Sequence, residues 1–322
     1  MVEERKMKKI LIGISLLCLS GLALATEKVN RSLDVSESPY VQIEHVNGSA
    51  KIIAWDKSEV KVTGSLGDRT DKFIFEKDNN EVLIKVKIKN NNGWGNWGSD
   101  EGDDLEIFIP SQSKVYYSAV NADVDLTQIR GGARVETVNG SIDVKELAGR
   151  IRLESVNGRI KADSLEGDVK IETVNGTIES RSSKGKEDTY ESVNGDIEVV
   201  SDSGDIRVET VNGDIDLQLG KVNQLNLDTV NGSIDAKLNL ERNGEVEASS
   251  VGGSIRLYFQ PNVSARFDIE GHAGGHISNN LSDDKMQKAK YGPSRWLKFA
   301  INDGSAKVNV STVSGRIKLD KR

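Results

Sequence analysis

Between residues 120 and 258 apolar and polar positions alternate in short runs, each closed by a recurring turn. One unit, residues 151–167, reads I-R-L-E-S-V-N-G-R-I-K-A-D-S-L-E-G. Ile151, Leu153 and Ser155 alternate with Arg152 and Glu154; beyond Asn157-Gly158, Ile160 and Ala162 alternate with Arg159, Lys161 and Asp163. A second turn is expected at Leu165-Glu166-Gly167. Period-two alternation bounded by glycine turns predicts two short strands per repeat, each with one buried face.

The unit recurs at a fixed period. Val-Asn-Gly begins at Val46, Val138, Val156, Val174, Val193, Val211 and Val230, with variants at Val120 (Val-Asn-Ala), Val251 (Val-Gly-Gly) and Val313 (Val-Ser-Gly). From Val120 to Val251 the spacings are 18, 18, 18, 19, 18, 19 and 21. Asn-Gly turns also suit a meander of hairpins. Column identity favours stacking instead. Ile142, Ile160, Ile178, Ile197, Ile215 and Ile234 share one position, and Val144, Ala162, Ser180, Val199, Leu217 and Ala236 share the next inward one. Like stacked on like marks a solenoid, so the expected fold is all-β: a parallel β-solenoid, β-helix-like, with coils of about 18 residues.

In that fold Asn139, Asn157, Asn175, Asn194, Asn212 and Asn231 form a turn ladder, their amides hydrogen-bonding along the axis. The glycine after each is expected to supply a positive φ. One coil departs from the rule. Its inward positions fall on Ser180, Ser183 and Asp188, and it is a residue longer, which predicts a bulge or exposed loop rather than a packed corner.

The flanks are less regular. Residues 26–118 carry one early repeat (Val41 to Val62), longer strands, and a Gly/Trp loop from Asn90 to Asp104. Residues 119–258 hold the regular repeats, and 259–322 form a C-terminal capping region with a final repeat around Val313. Atypical terminal units shield the open edges of a solenoid. At the N-terminus, Lys6, Lys8 and Lys9 precede an apolar run from Ile10 to Ala25 that ends Ala23-Leu24-Ala25. That is the form of a secretory signal peptide, residues 1–25, cleaved after Ala25. The run is shorter than the ~20 residues that span a bilayer, so no stable transmembrane anchor is expected in the mature chain. Cys18 raises lipidation as the alternative, although Leu17 precedes it.

Composition narrows the chemistry. The chain has 322 residues, a net charge of −7 and one cysteine. Cleavage removes four basic and two acidic residues, leaving −9 and no cysteine. Nucleic-acid binding, which needs a basic footprint, is not expected, and neither is a disulfide framework. His272 and His276 lie in G-H-A-G-G-H, a surface loop rather than a zinc site. His45 takes an outward or corner position in the early repeat. Neither a G-x-S-x-G nor an H-E-x-x-H motif is present. The chain is therefore expected to be non-enzymatic, without cofactor or metal.

Three surface features remain. Trp94 and Trp97 in the glycine-rich loop are candidates for contact with a glycan or protein partner, against folding back as a cap. Glu136, Glu154, Glu172, Glu191, Glu209 and Asp228 share one outward position, with Arg134, Arg152, Lys170, Thr189, Arg207 and Asn226 two residues earlier. Asp143, Glu179, Glu198, Asp216 and Asp235 form a second, less compensated acidic column. A solvated face is the plain reading of both; calcium binding as in β-rolls lacks the G-G-x-G-x-D turns.

The I-x-L-E-S-V-N-G-x-I-x-V rhythm, the opening Y-V-Q-I-E-H-V-N-G-S-A-K-I-I-A-W-D and the closing A-K-V-N-V-S-T-V-S-G-R-I-K-L resemble the bacterial putative-adhesin family of β-strand repeat proteins, long a domain of unknown function. The resemblance runs from about Tyr40 to Leu319 and implies a repetitive β-helix-like fold in an exported protein, with no catalytic set. Together these give an exported cell-envelope rod, periplasmic or surface-exposed, acting in adhesion, scaffolding or binding of an envelope protein or glycan. The alternatives are a polysaccharide-binding or polysaccharide-active β-helix and a calcium-stabilised β-roll.

Overall fold

The computed structural model describes residues 27–89 and 102–322. Every regular element among them is a β-strand, and they join into one continuous β-solenoid-like stack. No helix among the described residues is long and apolar enough to cross a membrane.

The repeats pair in parallel, each residue beside its counterpart one repeat away. Ile160 sits between Ile142 and Ile178, and Glu172 between Glu154 and Glu191. The same register runs on through Ile197, Ile215, Ile234 and Ile255. Parallel stacking of this kind excludes the hairpin meander. The six isoleucines after the turn are all buried, as are their inward neighbours two residues on.

The expected second turn is in fact two bends. In four successive coils a non-glycine residue takes the left-handed conformation: Gln128 (φ 63°), Glu146 (φ 57°), Ser164 (φ 59°) and Ser182 (φ 57°). Each is followed by a buried side chain, Ile129, Leu147, Leu165 and Ser183. The first bend thus turns one more side chain into the core before Gly149 (φ 98°) or Gly167 (φ 125°) makes the second. A non-glycine residue held left-handed costs about 1–2 kcal/mol, and burying a leucine contributes about 1.5–3 kcal/mol. Burial offsets the strain.

The ends reveal an order that the chain sequence conceals. At the N-terminal end the first coil, Tyr40–Trp55, pairs on one side with Lys114–Thr127 and on the other with Glu81–Ile88 and Asp103–Pro110. Those two are covered in turn by antiparallel partners, Thr70–Asp78 and Glu59–Leu66, and Glu27–Asp34 forms the outer edge. At the other end the last repeat, Ala306–Lys321, is not outermost. It inserts between Ile234–Phe259 and the strands Ala265–Gly271 and His276–Asn279. Arg295–Ile301 then closes the stack in antiparallel register. Antiparallel closure at both ends interrupts the parallel template that would otherwise recruit another chain.

Candidate functional site

The Val-Asn-Gly corner forms a continuous feature along the surface. Each asparagine side chain donates to the one in the preceding coil: Asn121 to Asn47, Asn139 to Asn121, and so on through Asn157, Asn175, Asn194, Asn212 and Asn231, at 2.8–3.0 Å. The ladder therefore runs two rungs further than the six asparagines singled out above. Val46-Asn47-Gly48 and Val120-Asn121-Ala122 were its sequence signal.

Six of the ladder glycines serve a purpose other than the expected one, whereas Gly48 does take a positive φ (120°). Gly140, Gly158, Gly176, Gly195, Gly213 and Gly232 do not have positive φ. A Cβ at any of them would lie 1.8–2.1 Å from the carbonyl oxygen of the equivalent residue in the preceding coil. Clearance between stacked backbones, not backbone freedom, requires glycine there.

Beside the ladder runs an open groove of about 820 Å³. Its floor is the column of Ser and Thr just before each valine, which is buried; Ser155, Thr173 and Thr210 donate to the Gly140, Gly158 and Gly195 carbonyls. One wall is the valine column, Val138 to Val251, with each side chain 40–47% exposed. The other is the acidic column from Glu136 to Asp228. Outward residues two apart on a strand stand roughly 6.6 Å apart, and coils repeat at about 4.8 Å.

Charge is unevenly compensated along this face. Arg134 bridges Glu136 and Glu154, Lys170 bridges Glu172 and Glu191, and Arg207 pairs with Glu209. Thr189 and Asn226 hold the basic column's places beside Glu191 and Asp228. Two unit charges about 4.8 Å apart in water repel by roughly 0.9 kcal/mol. Burial, then Glu172 and Glu209, push the Glu191 carboxyl above the usual glutamate value, with Lys170 acting against them.

Two polar clusters lie inside the stack. The first corrects the reading of the long coil. The register does shift between Ser180 and Ser183, and residues 184–187 are exposed. Yet Ser180, Ser183 and Asp188 are fully buried, so the corner is packed. Asp188 Oδ2 accepts from Ser183 and Ser201 at 2.7 Å and from Tyr190 at 3.3 Å, and Tyr190 also contacts Ser180 and Ser183. Asp188 occupies the column of Val169 and Ile206. Hydrogen bonds from the hydroxyls around it make the buried carboxylate tolerable.

The second cluster corrects His45, which is buried rather than outward. With its ring proton on Nε2, Nδ1 accepts from the Tyr117 hydroxyl at 3.0 Å. Nε2 lies 3.2 Å from Asp103 Oδ2, off the line of a hydrogen bond. Asp103 Oδ1 accepts from the Gly67 N–H at 2.8 Å and the Thr70 hydroxyl at 2.7 Å. Burial alone would raise the Asp103 carboxyl, but His45, Gly67 and Thr70 outweigh it and hold it below the ordinary aspartate value. Burial, with Asp123 and Asp103 nearby, raises the Tyr117 phenol. This cluster ties the coil-one corner to the strands on both sides.

Trp94 and Trp97 lie outside the described residues. His272 and His276 are exposed, and no group of three or more His, Cys, Asp or Glu among the described residues could hold a metal ion.

A parallel-stacked β repeat protein with a corner ladder and one long groove is the class these features define. Residues 41–320 match the family described as Toastrack DUF4097, and the chain belongs to that family. Among solved structures it is similar to a putative lipid binding protein from Parabacteroides distasonis (TM-score 0.40, 12% identity, covering 92% of this chain and 96% of that one). It is also similar to a putative adhesin from Bacteroides fragilis (TM-score 0.36, 12% identity, 92% and 98%). A third similar structure is a putative cell adhesion protein from Clostridium sporogenes (TM-score 0.26, 8% identity, 92% and 100%). At these identities and TM-scores no ligand or activity carries over. No curated protein sequence matches the chain.

Proposed function

We propose that the chain is an exported, non-enzymatic β-solenoid rod of the bacterial cell envelope that acts in adhesion, scaffolding or partner binding, and that the valine–glutamate groove is its contact face. The observation that carries this reading is the groove's continuity, unbroken from Ser118 to Val251, while the titratable clusters at Asp188 and His45 are sealed in the core. A basic, apolar N-terminal segment ending Ala23-Leu24-Ala25 supports export. Family membership supports a repeat scaffold.

The test fractionates cells making the tagged chain and places a photo-crosslinking residue at Val193 or, on the other strand, at Asp216. The expected outcome is a mature chain in the envelope fraction, cleaved after Ala25, that gives adducts from Val193 and not from Asp216. Retention of the uncleaved chain in the cytosol would defeat the export part. Equal adducts from both positions would defeat the assignment of the face.

A further inference from the structure

We infer that the groove binds linear aliphatic polyamines, with ammonium groups along the acidic wall and methylene runs along the valines. The inference rests on the groove being a contact face, and is independent of export. Three observations support it. The groove's lining holds six carboxylates and no lysine or arginine, and the three flanking cations that pair with five of them, Arg134, Lys170 and Arg207, leave an excess of negative charge along the wall. Its opposite wall is formed by valines, each residue 40–47% exposed. A cation carrying only charge would leave that wall in water, whereas an alkyl chain covers it.

The third is spacing. Carboxylates recur once per coil, about every 4.8 Å. Two ammonium groups separated by three methylenes lie about 5 Å apart in an extended chain of bonds near 1.5 Å. Ammoniums joined by three methylenes therefore meet successive rungs, as the two outer pairs of spermine do, while its central four-methylene segment spans about 6.3 Å. An extended peptide presents side chains on one face roughly every 6.6 Å and falls out of step within two rungs. The rungs of Glu191, Glu209 and Asp228 are the preferred seat, because Lys170 divides its charge between Glu172 and Glu191, Arg207 pairs with Glu209, and Asp228 has no ion pair among the described residues.

The other acidic column supplies an internal control. Glu198 and Asp216 stack on neighbouring coils in the same way, but they lie outside the groove. Isothermal titration of the purified mature chain with spermine, at low ionic strength and again at 0.15 M salt, tests the idea. Glu191→Gln with Asp228→Asn is expected to weaken spermine binding at least tenfold, and Glu198→Gln with Asp216→Asn less than twofold. Val193→Ser with Val211→Ser, which leaves every charge in place, is expected to weaken it about threefold to tenfold. Mg²⁺ at matched ionic strength is expected not to displace spermine beyond the effect of NaCl. Equal losses in the two acidic pairs, or no loss in the valine pair, would reduce the effect to diffuse charge and overturn the site. Absence of spermine binding at millimolar concentration in low salt would overturn it outright.

Discussion

Gly252 and Gly253 are adjacent, neither has a positive φ, and alanine is expected to act on them with opposite sign. Where an alanine fits the native backbone, Gly→Ala stabilises by about 0.4–1 kcal/mol by restricting the unfolded chain. At Gly252 a Cβ meets only ordinary contacts, Asn231 Oδ1 at 3.4 Å and the Val230 carbonyl oxygen at 3.6 Å. Gly252→Ala is therefore expected to gain that amount. At Gly253 the Cβ falls 1.5 Å from the Gly232 carbonyl oxygen and 2.4 Å from its carbon. Both are backbone atoms, so no rotamer change relieves the overlap, and the two coils must separate. Separation breaks the Gly252 N–H bond to Val230 (2.9 Å), the Ile234 N–H bond to Ser254 (2.8 Å) and the Val251 N–H bond to Thr229 (3.3 Å). At about 1 kcal/mol net for each bond, Gly253→Ala is expected to cost about 3 kcal/mol or more. Urea unfolding followed by far-UV circular dichroism reads the difference as a midpoint raised in one variant and lowered in the other. A Gly253→Ala midpoint equal to or above that of Gly252→Ala would refute the claim that stacking clearance demands the corner glycines.

Asp188→Ala should destabilise by about 2–4 kcal/mol, because it strands the Ser201 hydroxyl and opens a cavity. Asp188→Val with Ser183→Ala and Ser201→Ala should recover most of that loss by completing the apolar column; a triple variant as unstable as the single one would contradict the account. Asp103 has a depressed carboxyl, so its contribution to stability is present above the ordinary aspartate value of about 3.9 and is lost as pH falls through the lower folded value. The melting-temperature gap between wild type and Asp103→Asn should therefore shrink between about pH 5 and pH 2, and a gap constant across that range would rule out the linkage. Asn194→Ala removes two exposed ladder bonds, to Asn175 and from Asn212, and should cost about 1–2 kcal/mol in the same urea assay. No change would mean that the amides stack without stabilising.

Stacking explains which parts of this fold were legible in advance. It puts equivalent residues in equivalent surroundings, so Ile142 through Ile234 announce their column by identity alone. The left-handed bends did not announce themselves, since one conformation is held by a glutamine (Gln128), a glutamate (Glu146) and two serines (Ser164 and Ser182). Order along the stack was hidden as well. The final repeat looks terminal in the chain, yet residues 259–305 fold past it to cover its outer side, and no local pattern records that detour. At the long coil the informative signal was the joint departure of Asp188 and Tyr190 from two apolar columns, which supplies an acid and its donor together. His45 needed Asp103 and Tyr117, both far away in the chain, before its burial could be inferred.

The groove is the hardest case, because no single repeat contains it. Within one coil, glutamate and valine two residues apart are an ordinary outward pair, and their exposure asks for no explanation. Only repetition at strand spacing turns the pair into two parallel walls, one apolar and one charged. The ladder fixes that spacing: each asparagine bond, and each glycine that lets two backbones approach, holds the next carboxylate one coil from the last. The same corner that stabilises the rod thus sets the pitch of its contact face. A ligand that reads the pitch should lose affinity when the ladder is loosened, even though no asparagine touches it. Asn194→Ala should accordingly weaken spermine binding by less than the Glu191 and Asp228 pair does, but more than the Glu198 and Asp216 pair. An effect no larger than that of the outer pair would separate the ladder from the groove.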